Sequence, residues 1–143
     1  MTASAPAARL AQLRAAQQRY QRDAILSATP ERLVTMLYDR LMLDVERAET
    51  AQAASAWAEA STHLLHAQAI VAELHASLTD AWDGSADLRA LYAHLTDTLI
   101  AANIERDAER TRQCRELIAP LRDAWHEAAR LVGGAAQPVQ ASA

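Results

Sequence analysis

A single cysteine, Cys114, rules out an internal disulfide, and its place in an apolar helical stripe makes it a buried thiol of a reducing compartment rather than a nucleophile or ligand. Glycine occurs three times, proline four times and phenylalanine not at all. With so few turn formers, and alanine the commonest residue, a sheet-rich fold is excluded and close-packed helices are favoured. No apolar run approaches the roughly 20 residues that span a bilayer, and the N-terminus lacks the continuous apolar stretch of a secretory signal. A cytoplasmic protein without membrane insertion is therefore expected. Basic charge is short as well: the net charge of −4 argues against a general nucleic-acid binder. At 143 residues the chain suits one domain whose core needs neither disulfide nor metal.

What is present is helical periodicity. Thr29 can cap a first turn, Pro30 suits the first helical position and Glu31 complements the positive helix end, so a helix is predicted from Pro30. Val34, Tyr38, Leu41, Val45 and Ala48 form its inward stripe. Met36 and Leu43 project roughly opposite, with Leu33 and Leu37 between the two stripes, so this helix is apolar on more than one face. A second helix, from near Ser55 to Leu78, carries the seam Trp57, Ala60, Leu64, Ala67, Val71, Leu74 and Leu78. Leu65 and Ile70 fall off that seam, open to another helix or to a bound chain. Asp83-Gly84-Ser85 marks a break, with Ser85 the expected cap of a third helix whose stripe is Leu88, Tyr92, Leu95, Leu99 and Ala102. After Arg106-Asp107 a last helix turns Cys114, Ile118, Leu121, Trp125, Ala128 and Val132 inward and meets Gly133-Gly134 as a stop. Pro120 lies inside it and predicts a bend around Glu116 to Pro120. The fold class expected is all-α, an antiparallel four-helix bundle with an additional short or mobile N-terminal helical arm. Its divisions are an arm at 1–24, the bundle at 25–132 and a disordered tail at 133–143.

Enzymatic chemistry finds little support in these residues. His63 and His66 stand three apart, but no Glu is followed three residues later by His, as a di-iron bundle requires. There is no Gly-rich phosphate loop and no nucleophile elbow. Neither cofactor nor catalytic residue is expected.

Four motifs, in order, carry a resemblance. Tyr20 precedes Thr29-Pro30-Glu31-Arg32-Leu33 and Met36-Leu37-Tyr38-Asp39, and Ala67-Gln68-Ala69-Ile70-Val71-Ala72-Glu73-Leu74 follows. The run Leu88 to Asp107 holds Leu91-Tyr92 and Ala101-Ala102-Asn103-Ile104, and Leu121-Arg122-Asp123-Ala124-Trp125 closes the series. The chain resembles the flagellar secretion chaperone FliS family from about Tyr20 to Ala129. It departs at Arg40, where a small residue is common, at His66, where arginine is frequent, and at Pro120, where ordinary helix formers stand.

The resemblance implies a cytoplasmic chaperone that binds the C-terminal segment of flagellin, prevents premature polymerisation and keeps it fit for type III export. It also implies contacts with the export gate protein FlhA and, in some members, with the anti-sigma factor FlgM. The N-terminal segment, Tyr20 above all, would cover the site in the free chaperone. The expected flagellin-binding residues are Tyr20, Ile25, Leu26, Leu33, Met36, Leu37 and Leu43, with Leu65, Ile70, Leu91, Asn103 and Ile104 elsewhere. A monomer or weak homodimer is expected, and the rival reading is a self-associating structural helix bundle without a flagellin client.

Overall fold

In the computed structural model the backbone is described for residues 5–27, 30–80 and 83–136, and side chains for 6–19, 30–80 and 83–133. Five helices follow one another: α1 (Ala5–Ser27), α2 (Pro30–Ala53), α3 (Trp57–Ala76), α4 (Ser85–Ile104) and α5 (Ala108–Ala136). No strand occurs among the described residues. The periodicity of the sequence accounts for this: each of α2 to α5 has an apolar stripe that only neighbouring helices can cover.

Those four helices pack as an antiparallel bundle. Helix α2 lies against α3 and α5, and α4 lies against the same two, so α2 and α4 face each other across the diagonal. Tyr38, Leu41, Val45 and Ala48 of α2 are fully buried, as are Leu64, Ala67 and Val71 of α3, Leu95, Leu99 and Ala102 of α4, and Cys114 and Ile118 of α5. Burial pushes the Cys114 thiol up to about 12, in keeping with an inert core residue. Helix α1 stands apart from this core, and each of its described side chains is exposed.

The two reversals at one end of the bundle are built alike. After α2, the Ser55 N–H donates to Gln52 O and the Ala56 N–H to Ala51 O, with Ser55 at φ 55°. After α4, the Arg106 N–H donates to Asn103 O and the Asp107 N–H to Ala102 O, with Arg106 at φ 52°. Both are Schellman closures, which satisfy the last free carbonyls and reverse the chain within three residues, and both put a side chain where glycine is usual. Asp107 then caps α5, its Oδ1 accepting from the Glu109 N–H at 3.0 Å.

The structure corrects several local expectations. The second helix of the bundle starts at Trp57, not Ser55, because Ser55 is spent on the left-handed reversal. Ser85 is the first residue of α4 rather than its cap; Gly84 occupies the cap and the Ser85 hydroxyl donates to the Thr79 carbonyl. Gly133-Gly134 does not stop α5, which runs on to Ala136, and Val132 is exposed at 43%. Two glycines cost a helix about 1 kcal/mol each and end it only where a left-handed turn is stabilised. Helix α5 runs on through Pro120, as a bend rather than a break allows. Pro120 and Glu116 are exposed, so the carbonyl that loses its partner faces water rather than the core. The cap read at Thr29 lies outside the described residues, although α2 starts at Pro30 as expected.

Candidate functional site

Apart from Leu65 and Ile100, the large apolar side chains that the bundle leaves uncovered lie at its two ends. On α2, Asp39 accepts from Arg122 Nε at 2.7 Å and pairs with His126 Nε2 at 2.6 Å, while Glu49 pairs with Arg115 at 2.7 Å further along. This ladder runs the two helices antiparallel and brings the start of α2 level with the end of α5. Leu33 is exposed there, and so are Leu131 and Val132, the former at 62%. Helix α5 has 29 residues against 20 in α3 and 20 in α4, which is why its last turns pass beyond the covered part of the bundle. Behind these leucines Val34, Leu74, Leu78, Tyr92 and Trp125 line a cavity of about 230 Å³.

Ser77, Thr79 and Ser85 complete the lining, and a tyrosine pair lies beside it. The Tyr38 and Tyr92 hydroxyls meet at 2.7 Å across the bundle diagonal, and the Trp125 ring stacks on Tyr38 with centroids 6.4 Å apart. Burial raises the pKa of both phenols above the ordinary tyrosine value, so the pair stays protonated and serves as a hydrogen-bonded pin rather than an acid or base.

At the opposite end Gln52, Trp57, Ala58, Ala60, Ser61, Asn103, Ile104 and Arg106 line a cavity of about 410 Å³. The Arg106 guanidinium lies over the Trp57 ring at 5.3 Å, and Ile104 is 77% exposed. Between the ends, a fully buried carboxylate joins α2 to α3: Asp44 Oδ2 pairs with His66 Nδ1, and Arg40 Nε lies 3.3 Å from Oδ1. On the other side of α2, burial opposes ionisation of Asp39, but the hydrogen bonds from His126 and Arg122 outweigh it and hold the carboxyl below its usual range.

The expected site residues fall into separate places. The side chains of Tyr20, Ile25 and Leu26 lie outside the described residues. Leu33 is exposed at the start of α2, with Met36 and Leu37 half-buried one turn on. Leu43 is half-buried and, with Met42, Asp39 and Arg122, lines a shallow groove of about 260 Å³ between α2 and α5. Leu65 is 54% exposed on the outer face of α3. Ile70 is 5% exposed and belongs to the core, so it is not available to a partner in this structure. It joins Leu64, Ala67, Val71 and Leu74 of the same helix in the core cluster. Leu91 packs against the core, about 120° around α4 from Asn103. Asn103 and Ile104 come together at the second cavity. The structure thus groups Leu33, Met36 and Leu37 at one end and Asn103 with Ile104 at the other, and leaves Leu43, Leu65 and Leu91 on three different flanks. Leu131, Ile100 and Gln52 had no place in the sequence reading, and Arg106 had one only as part of a turn. The length of α5 is the signal that could have exposed Leu131; nothing in the pattern marks Gln52.

The two histidines of His63-Leu-Leu-His66 turn to different carboxylates, His63 to Glu59 at 3.8 Å and His66 to Asp44. No cluster of three or more His, Cys, Asp or Glu side chains suited to a metal occurs among the described residues. Nor is any described helix long and apolar enough to cross a membrane.

Known proteins match this arrangement. The sequence profile of the family described as "Flagellar protein FliS" matches residues 12–132. The flagellar secretion chaperone FliS of Bacillus subtilis (strain 168) is 29% identical over 109 residues, which cover 76% of this chain and 82% of that protein. A crystal structure of a bacterial flagellar chaperone superposes with a TM-score of 0.66 at 19% identity, over 80% of this chain and 95% of that one, a likeness of fold.

Proposed function

This chain belongs to the flagellar protein FliS family, and from that membership we propose that it is a cytoplasmic export chaperone for the C-terminal segment of flagellin. Unpolymerised flagellin termini are amphipathic segments without their filament neighbours, and covering their apolar faces shields the surface that drives assembly. The observation that carries this reading is the apolar end formed by Leu33, Leu131 and Val132 beside the half-buried Trp125 and Val34. Each leucine-sized side chain buried against a client contributes roughly 1.5 to 3 kcal/mol before ordering costs, so a disordered client needs several such contacts along the bundle. Met36, Leu37, Leu43, Leu65, Leu91, Asn103 and Ile104 supply candidates for the rest of the path, and Ile70 is withdrawn. Tyr20 keeps its proposed role in an arm that gives way to the client, and Ile25 and Leu26 theirs as flagellin-binding residues. The loaded complex is the species presented to FlhA. This reading gives no residue a catalytic role.

The test is calorimetric titration with flagellin of the same organism, full length and lacking the C-terminal segment, beside light scattering of the chaperone alone. Saturable binding that disappears with the deletion is expected. A constitutive oligomer indifferent to intact flagellin would sink the chaperone reading and promote a self-associating bundle.

A further inference from the structure

Leu65 and Ile100, at 54% and 38% exposure, are the large uncovered apolar residues of the bundle that lie at neither of its ends. They belong to one groove. Ser61 of α3 and Asn103 of α4 line the same cavity, which sets the flank on which each helix meets the other. From Ser61, Leu65 is four residues on, about 6 Å along α3 and about 40° further round from the core. From Asn103, Ile100 is three residues back, about 4.5 Å along the antiparallel α4 and about 60° further round. The two side chains therefore stand nearly level on either side of the outer groove between α3 and α4. Ala72 and Ala76 continue the groove on α3, as do Ala86 and Ala93 on α4, all of them exposed. Small residues beside larger ones let a further helix seat closely. Further round, Glu73 on α3 and Asp97 on α4 are exposed and make both edges of the groove acidic.

Helix α1 is the element without a neighbour. Its described side chains are all exposed, Leu10 at 49% and Leu13 at 61% among them, and a lone helix is marginal in water. Arg9 and Arg14 stand about 70° to either side of the stripe that Leu10 and Leu13 form. Over its whole length α1 carries Arg9, Arg14, Arg19 and Arg22 against the single Asp23. An apolar stripe with basic flanks complements an apolar groove with acidic edges. The α1 of the same chain does not reach that groove. Ser27 and Pro30 are separated by two residues, a span of at most about 11 Å. The outer α3–α4 groove lies on the side of the bundle away from α2, about two helix spacings or about 17 Å from its axis.

We infer that the outer α3–α4 groove docks helix α1 of a second copy of this chain, with Leu10 and Leu13 over Leu65 and Ile100 and with Arg9 and Arg14 toward the acidic edges. A partner that returns its own α1 closes a two-fold dimer. The inference does not rest on the flagellin reading, with which it shares only Leu65 of the groove.

The test is sedimentation equilibrium of the full-length protein from about 1 to about 200 µM, a range that brackets an expected Kd on the order of 10 µM. Leu10→Asp with Leu13→Asp, and separately Leu65→Asp with Ile100→Asp, are expected to weaken the dimer by about 100-fold or more. All four positions are exposed, and circular dichroism verifies that the bundle itself is unchanged. Glu73→Arg with Asp97→Arg is expected to weaken it about tenfold, and adding Arg9→Glu with Arg14→Glu to the same chain to restore it. The contact is located by photo-crosslinking from p-benzoylphenylalanine placed at Leu13, in a mixture of ¹⁴N and ¹⁵N chains. Crosslinks between unlike chains that end near Leu65 and Ile100 are expected. A monomer at the top of the concentration range, a dimer indifferent to the groove variants or to charge reversal, or crosslinks confined to one chain overturns the inference. Flagellin separates the two readings: a dimer that ignores flagellin sinks the chaperone reading and leaves arm docking standing, whereas a chain that binds flagellin but is monomeric without it overturns arm docking alone.

Discussion

Deleting the tyrosine hydroxyls at the centre of the bundle tests whether the diagonal pin is a closed pair. Tyr38 is fully buried and Tyr92 is 1% exposed, and their hydroxyls meet at 2.7 Å. Trp125 meets Tyr38 by ring stacking, so each hydroxyl has the other as its hydrogen-bond partner. Tyr38→Phe and Tyr92→Phe therefore each strand the remaining hydroxyl, at a cost of about 2 kcal/mol. The double variant removes both partners together and costs about 1 kcal/mol, so the cycle closes with a coupling of about 3 kcal/mol. With a urea slope of about 2 kcal/mol per molar, the midpoints fall by about 1 M, 1 M and 0.5 M with the slope unchanged. The assay is urea unfolding followed by circular dichroism. A double variant whose loss equals the sum of the singles would refute the closed pair and show each hydroxyl satisfied separately, for instance by water in the adjoining cavity.

Three further outcomes are expected. Arg40→Ala with His66→Ala leaves the fully buried Asp44 carboxylate without its two neighbours and costs about 3 kcal/mol in urea unfolding, more than Asp44→Leu, which removes the carboxylate and frees two half-exposed side chains to turn to solvent. Asp39 is held below its ordinary value of 3.8, so its contribution is present above that pH and is lost as pH falls through the lower folded value. Because the side chain is 42% exposed, Asp39→Asn lowers stability by no more than about 0.5 kcal/mol at neutral pH, and the difference vanishes at the acid end of a pH series of melting curves. Ser55→Gly relieves the left-handed backbone at φ 55° and raises stability by about 0.5 to 1 kcal/mol, read as a rise in melting temperature; a fall would show that Ser55 makes a contact that outweighs its backbone cost.

The seams of the four bundle helices were legible because burial against two neighbours imposes a period that few other demands disturb. Tyr38, Leu41, Val45 and Ala48 lie inside as their spacing required, and so do Leu88, Tyr92, Leu95, Leu99 and Ala102. Ile70 escaped that logic because a helix with two neighbours buries an arc of about 120°, wider than a seam, and which flank is closed depends on where the next helix lies. Val132 and Gly133-Gly134 were misread for a related reason: periodicity gives a helix its face but not the point at which its neighbours end. The polar features were the least legible. Gln52 and Ala102 are 50 residues apart, Tyr38 and Tyr92 are 54 apart, and neither pairing leaves a trace in local pattern. Arg40 and His66 stood out in the sequence as separate departures from the family; in the fold they are the two neighbours of one carboxylate.

The two Schellman closures make the bundle mechanically one-sided. At their end, each pair of helices is pinned by a three-residue reversal with its carbonyls satisfied, and small residues such as Ala48, Ala51, Ala60 and Ala102 allow close approach. The far end has the longer crossing from Ser77 to Gly84, the half-buried Trp125 and the overhanging turns of α5. Helices joined in this way resemble the arms of tweezers: amides near Ala102 are expected to exchange with solvent on opening of the whole domain, and those near Leu33 and Leu131 through local separation, a difference that hydrogen exchange reads directly. A guest helix that wedges into the loose end can therefore spread the arms without unfolding the molecule, and its departure lets them spring shut.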